Sequence, residues 1–447
     1  MIAFEPEALW QHLAFLLKQC GADKSPKIVV GFSGGLDSTV LLQSLHSLNL
    51  SQSNFQLKAI HINHQLQSSA DAWAVWCAEF CKKNQITFQC VNVDAKPKPK
   101  ESPEAAARRA RYHSLNKLLA DDEILVTAHH QDDQVETTLL QMLRGTGVTG
   151  AAGMKAVSSL QDMTIVRPLL NYTRSKLHSY AQAQKLDWID DPSNACDDYD
   201  RNYLRLNILP LLAQRWPAYP QTISRFAHNA REASELMEEI AKQDYADAYI
   251  ENHTTLNIDV IKSLTEIRQK NLIRFWISNA GYLLPNLKHL SQIITMLHAR
   301  LDAKSQVRWA NAEIRRFKHE LYLLKQIDDF DAKTYHWDGV SDLQISHIGI
   351  VQSTETLGRG LKKSMLKGKI AIRFRLGGEK CRPAGRKETH SLKKLFQDYQ
   401  IPPWQRERMP ILFVNDEIAA VLGLFYCEPF AAESNEASVE IEIKSPE

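Results

Sequence analysis

Lys27-Ile28-Val29-Val30-Gly31-Phe32-Ser33-Gly34-Gly35-Leu36-Asp37-Ser38-Thr39-Val40-Leu41-Leu42 decides how the rest of the chain is read. Ile28 to Phe32 form a short apolar run of β-branched and aromatic residues, the pattern of a strand buried on both faces. Val40, Leu41, Leu42 and Leu45 then fall at helical spacing. Between strand and helix lies Ser33-Gly34-Gly35-Leu36-Asp37-Ser38. Its two glycines permit a sharp turn and let backbone N–H groups approach an anion with no Cβ in the way. The helix N-terminus adds partial positive charge, so a polyphosphate is the expected occupant. Ser33, Gly34, Gly35, Leu36, Asp37 and Ser38 are the candidate nucleotide-binding residues. The competing reading is a Gly-rich strand-to-helix turn without a ligand.

The loop lacks the Lys-Ser/Thr ending of a Walker A loop and does not fit the Gly-x-Gly-x-x-Gly dinucleotide pattern. It resembles the PP-loop, Ser-Gly-Gly-x-Asp-Ser, of the ATP pyrophosphatase superfamily. That resemblance implies cleavage of ATP between the α and β phosphates, with the adenylate activating an oxygen.

Outward from the loop, strands and helices alternate. Residues 57–64, 86–93 and 123–128 read as strands; 69–83 and 103–119 read as helices, with another starting near Asp132. Lys96-Pro97-Lys98-Pro99-Lys100 is an extended basic loop. The alternation predicts an α/β fold with a doubly wound parallel sheet, Rossmann-like, whose ligands sit at the carboxyl ends of the strands. An amphipathic first helix is expected through Leu9, Leu13, Leu16 and Leu17.

Residues 216–326 read as helical, especially 224–249 and 267–280, and 327–356 as weakly structured. Strand-like segments return at 369–375, 411–414 and 418–424, and the acidic stretch 428–447 reads as a terminal strand with a frayed end. The expected domains are 1–215 (catalytic, ATP-binding), 216–326 (helical) and 350–447 (basic, small α+β). A chain of 447 residues, 44% hydrophobic and 24% charged, has the apolar content for two or three such cores. No apolar run has the length to cross a bilayer, and Glu5 and Glu7 argue against a signal peptide. Seven scattered cysteines with no Cys-x-x-Cys fit a reducing compartment, so a cytoplasmic location is expected. Cys77 and Cys81, one helical turn apart, read as packing residues.

Two clusters accompany the loop. In His129-His130-Gln131-Asp132-Asp133-Gln134-Val135-Glu136-Thr137, a helix begun near Asp132 puts Asp133 and Glu136 on one face near a strand's carboxyl end. Carboxylates there can hold Mg²⁺ on ATP phosphates or orient an amine. They can equally be an N-cap, Asp132, with dipole-complementing acids behind it. In Glu104-Ala105-Ala106-Ala107-Arg108-Arg109-Ala110-Arg111-Tyr112, Arg108 or Arg111 can reach a phosphate, or Glu104 and Arg108 can form a solvated pair.

Taken with His61-Ile62-Asn63-His64-Gln65-Leu66, with residues 143–150, with Asp190-Asp191-Pro192-Ser193-Asn194 and with Arg201-Asn202-Tyr203-Leu204-Arg205, these motifs resemble the tRNA(Ile)-lysidine synthetase family. Arg382-Pro383-Ala384-Gly385-Arg386, Ser391-Leu392-Lys393-Lys394-Leu395-Phe396 and Pro402-Pro403-Trp404 resemble its C-terminal domain. The resemblance spans nearly the whole chain and is weakest over 216–326. Gln65 departs from the expected Gly, which should alter a turn more than the chemistry.

The resemblance implies lysidine formation on the wobble cytidine of an isoleucine tRNA with a CAU anticodon, with ATP, Mg²⁺ and free L-lysine and no obligate protein partner. It implies that Ser33, Gly34, Gly35 and Ser38 grip pyrophosphate, Asp37 helps hold Mg²⁺, and Arg108 by preference, or Arg111, faces the α-phosphate. Asp133 and Glu136 would position lysine, with His129 beside them. Arg359, Lys362, Lys363, Lys367, Lys369, Arg373 and Arg375 run without an intervening acid, a pattern that follows a phosphate backbone or makes a solvated face. The tRNA-binding candidates are Arg201, Arg205, Lys362, Lys363, Arg382, Arg386, Lys393 and Lys394; Trp404 either stacks on a base or packs. A tRNA thiolase and a non-catalytic tRNA-binding protein are the competing functions. The missing Cys-x-x-Cys counts against the first, and the intact loop against the second.

Overall fold

The computed structural model describes residues 4–22, 25–52, 55–65, 69–97, 103–250, 254–300, 305–326, 330, 332–346 and 348–444, without the side chains of Gln52, Pro103, Glu104, Ser193 and Asn194. Leu66, Lys98, Lys100 and the expected Glu104–Arg108 pair lie outside the described residues. The chain divides into two compact units, Met1–Ile240 and Ala241–Glu447.

The first unit is built on a six-stranded sheet. Its strands are β1 (Lys27–Gly31), β2 (Gln56–Asn63), β3 (Thr87–Asn92), β4 (Glu123–Val126), β5 (Val157–Leu160) and β6 (Met163–Val166), in the order β3-β2-β1-β4-β6-β5. All pairings are parallel except β5 with β6 at the edge. Its helices are α1 (Pro6–Gln19), α2 (Leu36–Gln52), α3 (Ala70–Lys83), α4 (Pro103–Leu118), α5 (Gln131–Leu143), α6 (Gly147–Ala151) and α7 (Arg174–Ala183). β1 is buried on both faces. Ile28 and Val30 join the core made by α1 and α2, while Val29 joins a separate cluster with Tyr112 and Leu115 of α4. Leu9, Leu13, Leu16 and Leu17 are the buried stripe of α1.

From β1 the chain adds β2 and β3 on one side, then returns to place β4 on the other. The order therefore reverses between β1 and β4, and a crevice opens at their carboxyl ends, where doubly wound sheets bind ligands. The loop after β1 and the segment after β4 meet there.

Beyond β2, Gln65 takes the left-handed backbone (φ 53°), and its N–H donates to Asn63 Oδ1 at 2.9 Å. Glycine is the residue that position favours, which accounts for the family's Gly there. Gln65→Gly should stabilise the first unit by up to about 1 kcal/mol, the backbone strain relieved less the entropy glycine adds. Thermal unfolding checks this; a clear fall in Tm would show that the Gln65 side chain contributes more than the strain costs.

In the second unit, helices Ile258–Ser263, Glu266–Asn279 and Leu287–Leu297 pack through Trp276, Ile273 and Ile293 against a five-stranded antiparallel sheet. The sheet's strands are Tyr249–Ile250, Thr255–Asn257, Gln306–Trp309, Ala312–Phe317 and Glu320–Lys325. The helical expectation holds at its two named stretches, as Tyr219–Ala248 and Glu266–Asn279, and fails over 306–325, where the strands were hidden because each is six residues or fewer. The weakly structured expectation for 327–356 is overturned over Gly349–Leu357, which pairs residue by residue with Ala437–Lys444. Its own run, Gln352 to Thr356, is polar, and the apolar side of the ladder comes from Val439 and Ile441 of the distant partner. Strands Tyr335–Trp337, Ile370–Arg373, Ile411–Val414, Glu417–Val421 and Phe425–Tyr426 form a further antiparallel sheet. Among the described residues, no helix is long and apolar enough to cross a membrane.

Candidate active site

Gly34 holds φ 82°, and a Cβ there would lie 2.6 Å from Ile189 Cδ1 and 2.9 Å from Cys77 Sγ. Conformation and space both require glycine. Its carbonyl accepts from Ile189 N–H at 2.9 Å and from the Thr39 hydroxyl at 3.2 Å, so the loop is fixed from both ends. The Ser33 and Ser38 hydroxyls lie 3.0 Å apart, and Ser33 N–H donates to Ser38 Oγ at 3.3 Å. The loop borders a cavity of about 390 Å³, walled also by Ile60, Tyr112, Arg111, His129 and Asp133. Leu36, by contrast, turns into the core, so its place in the motif is a packing one.

β4 leads through Thr127 to His130, which caps α5. The His130 N–H donates to Asp133 Oδ2 at 3.0 Å, so the cap is His130 and not Asp132. Asp132 instead accepts the Arg174 N–H at 2.8 Å. The His130 ring lies 3.5 Å from Asp37 Oδ2, 3.5 Å from Asp133 Oδ2 and 3.6 Å from Asp132 Oδ2. Burial disfavours its charge, but Asp133, Asp37 and Asp132 outweigh burial and push its pKa up to about 9. Its neighbour His129 goes the other way. Burial, with Arg167, Arg108 and Arg111 adding to it against Asp133, pushes His129 down to about 4. Burial also works against the Asp133 charge, yet His130, His129 and the His130 N–H hold its pKa below the usual carboxylate range. Two consecutive histidines are thus pushed in opposite directions, His130 toward its charged form and His129 toward its neutral one.

Glu136 is fully buried and accepts from Arg205 Nε at 2.7 Å and Nη2 at 3.1 Å. Arg201 Nε lies 3.4 Å from the same carboxylate and its Nη2 donates to the Thr137 hydroxyl at 2.9 Å. Burial pushes the Glu136 carboxyl up and the Arg205 fork opposes that push. Burial likewise disfavours the Arg205 charge, and Glu136 more than compensates, holding it firmly protonated. Arg205 sits in a wide π-type turn, Leu204–Ile208, an irregularity common at functional sites.

Of the two α4 arginines, Arg111 lines the cavity and contacts His64 Nε2 at 3.3 Å. Arg108 lies over the Tyr112 ring, 5.0 Å from its centroid. Asp37 Oδ1 is buried and takes no hydrogen bond, the kind of hard oxygen that Mg²⁺ shares with substrate phosphates. Among the described residues no group of three or more His, Cys, Asp or Glu could hold a metal by itself. The site's carboxylates therefore fit a Mg²⁺ carried with ATP better than a resident ion.

The remaining candidates lie in the second unit. Lys362 pairs with Glu433 and Glu436, Lys363 with Glu355, and Arg386 with Asp398 at 2.9 Å. Arg382 lines a separate cavity of about 600 Å³, and Lys393 and Lys394 are exposed on the helix Leu392–Asp398. Trp404 packs edge-on to Phe317 and Tyr322 beneath Arg315. Sequence reasoning missed His130 and Arg174, which share the distant partner Asp37. The one available signal was Thr173, whose hydroxyl caps α7 and so places Arg174 at a helix start.

Comparison with known proteins matches residues 8–212 to the PP-loop domain family, 256–322 to the TilS substrate binding domain and 370–443 to the TilS substrate C-terminal domain. The tRNA(Ile)-lysidine synthase of Coxiella burnetii is 38% identical over 446 residues, covering 99% of this chain and 97% of that protein. The enzyme of the same name from Methylococcus capsulatus is 39% identical over 398 residues, covering 88% of this chain and 90% of that protein. With the loop intact at the switch point of the sheet and this similarity running from end to end, the chain belongs to the tRNA(Ile)-lysidine synthase family.

Proposed function

We propose that the chain joins free L-lysine to C2 of the wobble cytidine of tRNA(Ile) with a CAU anticodon, so that the tRNA reads AUA instead of AUG. The observation that carries this is the PP-loop cavity, walled by Asp37, Asp133 and Arg111, in a chain with end-to-end family similarity. The cytidine O2 attacks the α-phosphate of ATP and pyrophosphate departs. The loop N–H groups with Ser33 and Ser38 bind the departing charge, and Arg111, the α4 arginine that lines the cavity, balances the α-phosphate. The lysine side-chain amine then attacks C2, the C2–O2 bond breaks, and AMP leaves with that oxygen.

Asp133 draws the lysine ammonium to the adenylate and neutral His129 stands beside it as an acceptor for the proton the amine must lose. Glu136 acts through Arg205, orienting the acids from behind. Mg²⁺ at Asp37 would neutralise phosphate charge. Residues 216–326 and 350–447 contact the tRNA, with Arg382, Lys393 and Lys394 as the exposed cations. The reaction takes place in the cytoplasm, with no protein partner required.

A thiolase reading is disfavoured by the cysteines: none lines the ATP cavity, and burial pushes the Cys77 and Cys81 thiols up to about 12. Incubating a CAU-anticodon tRNA(Ile) transcript with enzyme, ATP and lysine should yield lysidine, detected by nucleoside mass spectrometry. A thiolated nucleoside, or unmodified cytidine with full tRNA binding, would establish a competing function instead.

A further inference from the structure

In the second unit, a cavity of about 860 Å³ opens where the strands Gln306–Trp309 and Ala312–Phe317 meet the segment after Ile370–Arg373 and the short helix Pro403–Arg406. Among the described residues its wall carries four arginines, Arg308, Arg315, Arg375 and Arg408, and one acid, the exposed Glu407. Arg308 and Arg315 share a single buried carboxylate, Glu313, at 2.8 and 2.7 Å. Arg408 has no carboxylate partner among the described residues and lies over Phe330, 5.7 Å from its centroid. Arg375 comes no closer than 3.9 Å to Glu379, and its Nε is buried without an acceptor. The Trp404 Nε1 is likewise buried without one, while Phe317, Tyr322 and Arg315 fix the ring in place.

A purely structural junction of arginines would satisfy its buried donors, and this one leaves two unmet. A duplex backbone that follows the surface does not reach such donors; an acceptor that enters the cavity does. Planar guanidinium groups match phosphate oxygens through parallel hydrogen bonds, and an indole takes a nucleobase on its face. We propose that this cavity is a second nucleotide site, separate from the PP-loop cavity, which takes a phosphate monoester carried by a nucleoside. Arg375 and Arg408 hold the phosphate and Trp404 the base.

The probe is 8-azido-AMP, photolysed with the full chain and followed by mapping of the labelled peptides. Label should appear on the peptide that carries Trp404, apart from any on the PP-loop. Unlabelled AMP should protect that peptide at concentrations at least about 10-fold below adenosine, the worth of a charge-assisted contact to phosphate. Arg408→Gln and Arg375→Gln should each lower labelling there by about 10-fold or more, with PP-loop labelling unchanged. Arg408→Lys, which keeps the charge but loses the fork, should fall between. A tRNA transcript with a 5′-phosphate that protects Trp404 better than its 5′-hydroxyl counterpart identifies an RNA end as the source of the monoester. Protection by neither identifies a free nucleotide. Absence of label at Trp404, label that adenosine displaces as well as AMP does, or label undiminished in both glutamine variants would overturn the site.

Discussion

Asp37→Asn is expected to lower lysidine formation by roughly 100-fold or more while tRNA affinity stays within about two-fold of wild type. Asparagine keeps the size of the side chain and removes its charge. Oδ1 of Asp37 is buried without a hydrogen bond, so the oxygen has no structural partner to lose. Oδ2 lies 3.5 Å from His130, which keeps Asp133 at the same distance as a second carboxylate. Fold and RNA surface should therefore persist, and the deficit should fall on ATP-dependent steps, visible as lost ATP–pyrophosphate exchange. Wild-type exchange in this variant would remove Asp37 from the phosphate chemistry.

Arg205→Ala should lower the stability of the first unit by about 3–5 kcal/mol. The reason is geometric: Glu136 is fully buried and Arg205 supplies both of its close hydrogen bonds. Arg201, 3.4 Å away, can compensate only in part. A double replacement, Arg205→Met with Glu136→Gln, removes the stranded charge and should recover much of the stability without recovering activity, because the 3.6 Å contact from Arg205 to Asp133 is gone. Thermal unfolding and lysidine yield, measured on both variants, separate the two roles. A wild-type melting temperature for Arg205→Ala would mean that the pair contributes nothing to the fold.

The parts of this architecture legible in the sequence are those fixed locally. The buried run of β1, the glycine pair and the leucine stripe of α1 state their environment through their own spacing. Other features depend on which distant residues arrive. Asp132 and Asp133 follow His130 in the same motif, but nothing local says that Asp37 will close on that ring or that arginines will surround His129. Arg108 and Arg111 share a helix face at i, i+3, and only the docking of α4 on the sheet directs Arg111 to the cavity. The uninterrupted basic run around Lys362 and Lys363 looked uncommitted because its acids, Glu433, Glu436 and Glu355, lie elsewhere in the chain. Pairing of that kind weakens a basic run as a phosphate contact, since an RNA must displace an internal partner first.

The ladder between Gly349–Leu357 and Ala437–Lys444 bears on how the protein is made. Every strand of the six-stranded sheet has been synthesised by Val166, so the ATP-binding unit can condense while the ribosome is still translating the remainder. The four-stranded sheet of Leu343–Ile345, Gly349–Leu357, Ala437–Lys444 and Leu361–Lys362 waits for Ala437–Lys444, which lies between Gly349–Leu357 and Leu361–Lys362 in strand order. Until that strand is released, Gly349–Leu357 presents an unpaired edge to solvent. Closure by pairing across about eighty intervening residues is entropically slow. The order of synthesis thus predicts an interval in which the nucleotide site is assembled and the far sheet is still open.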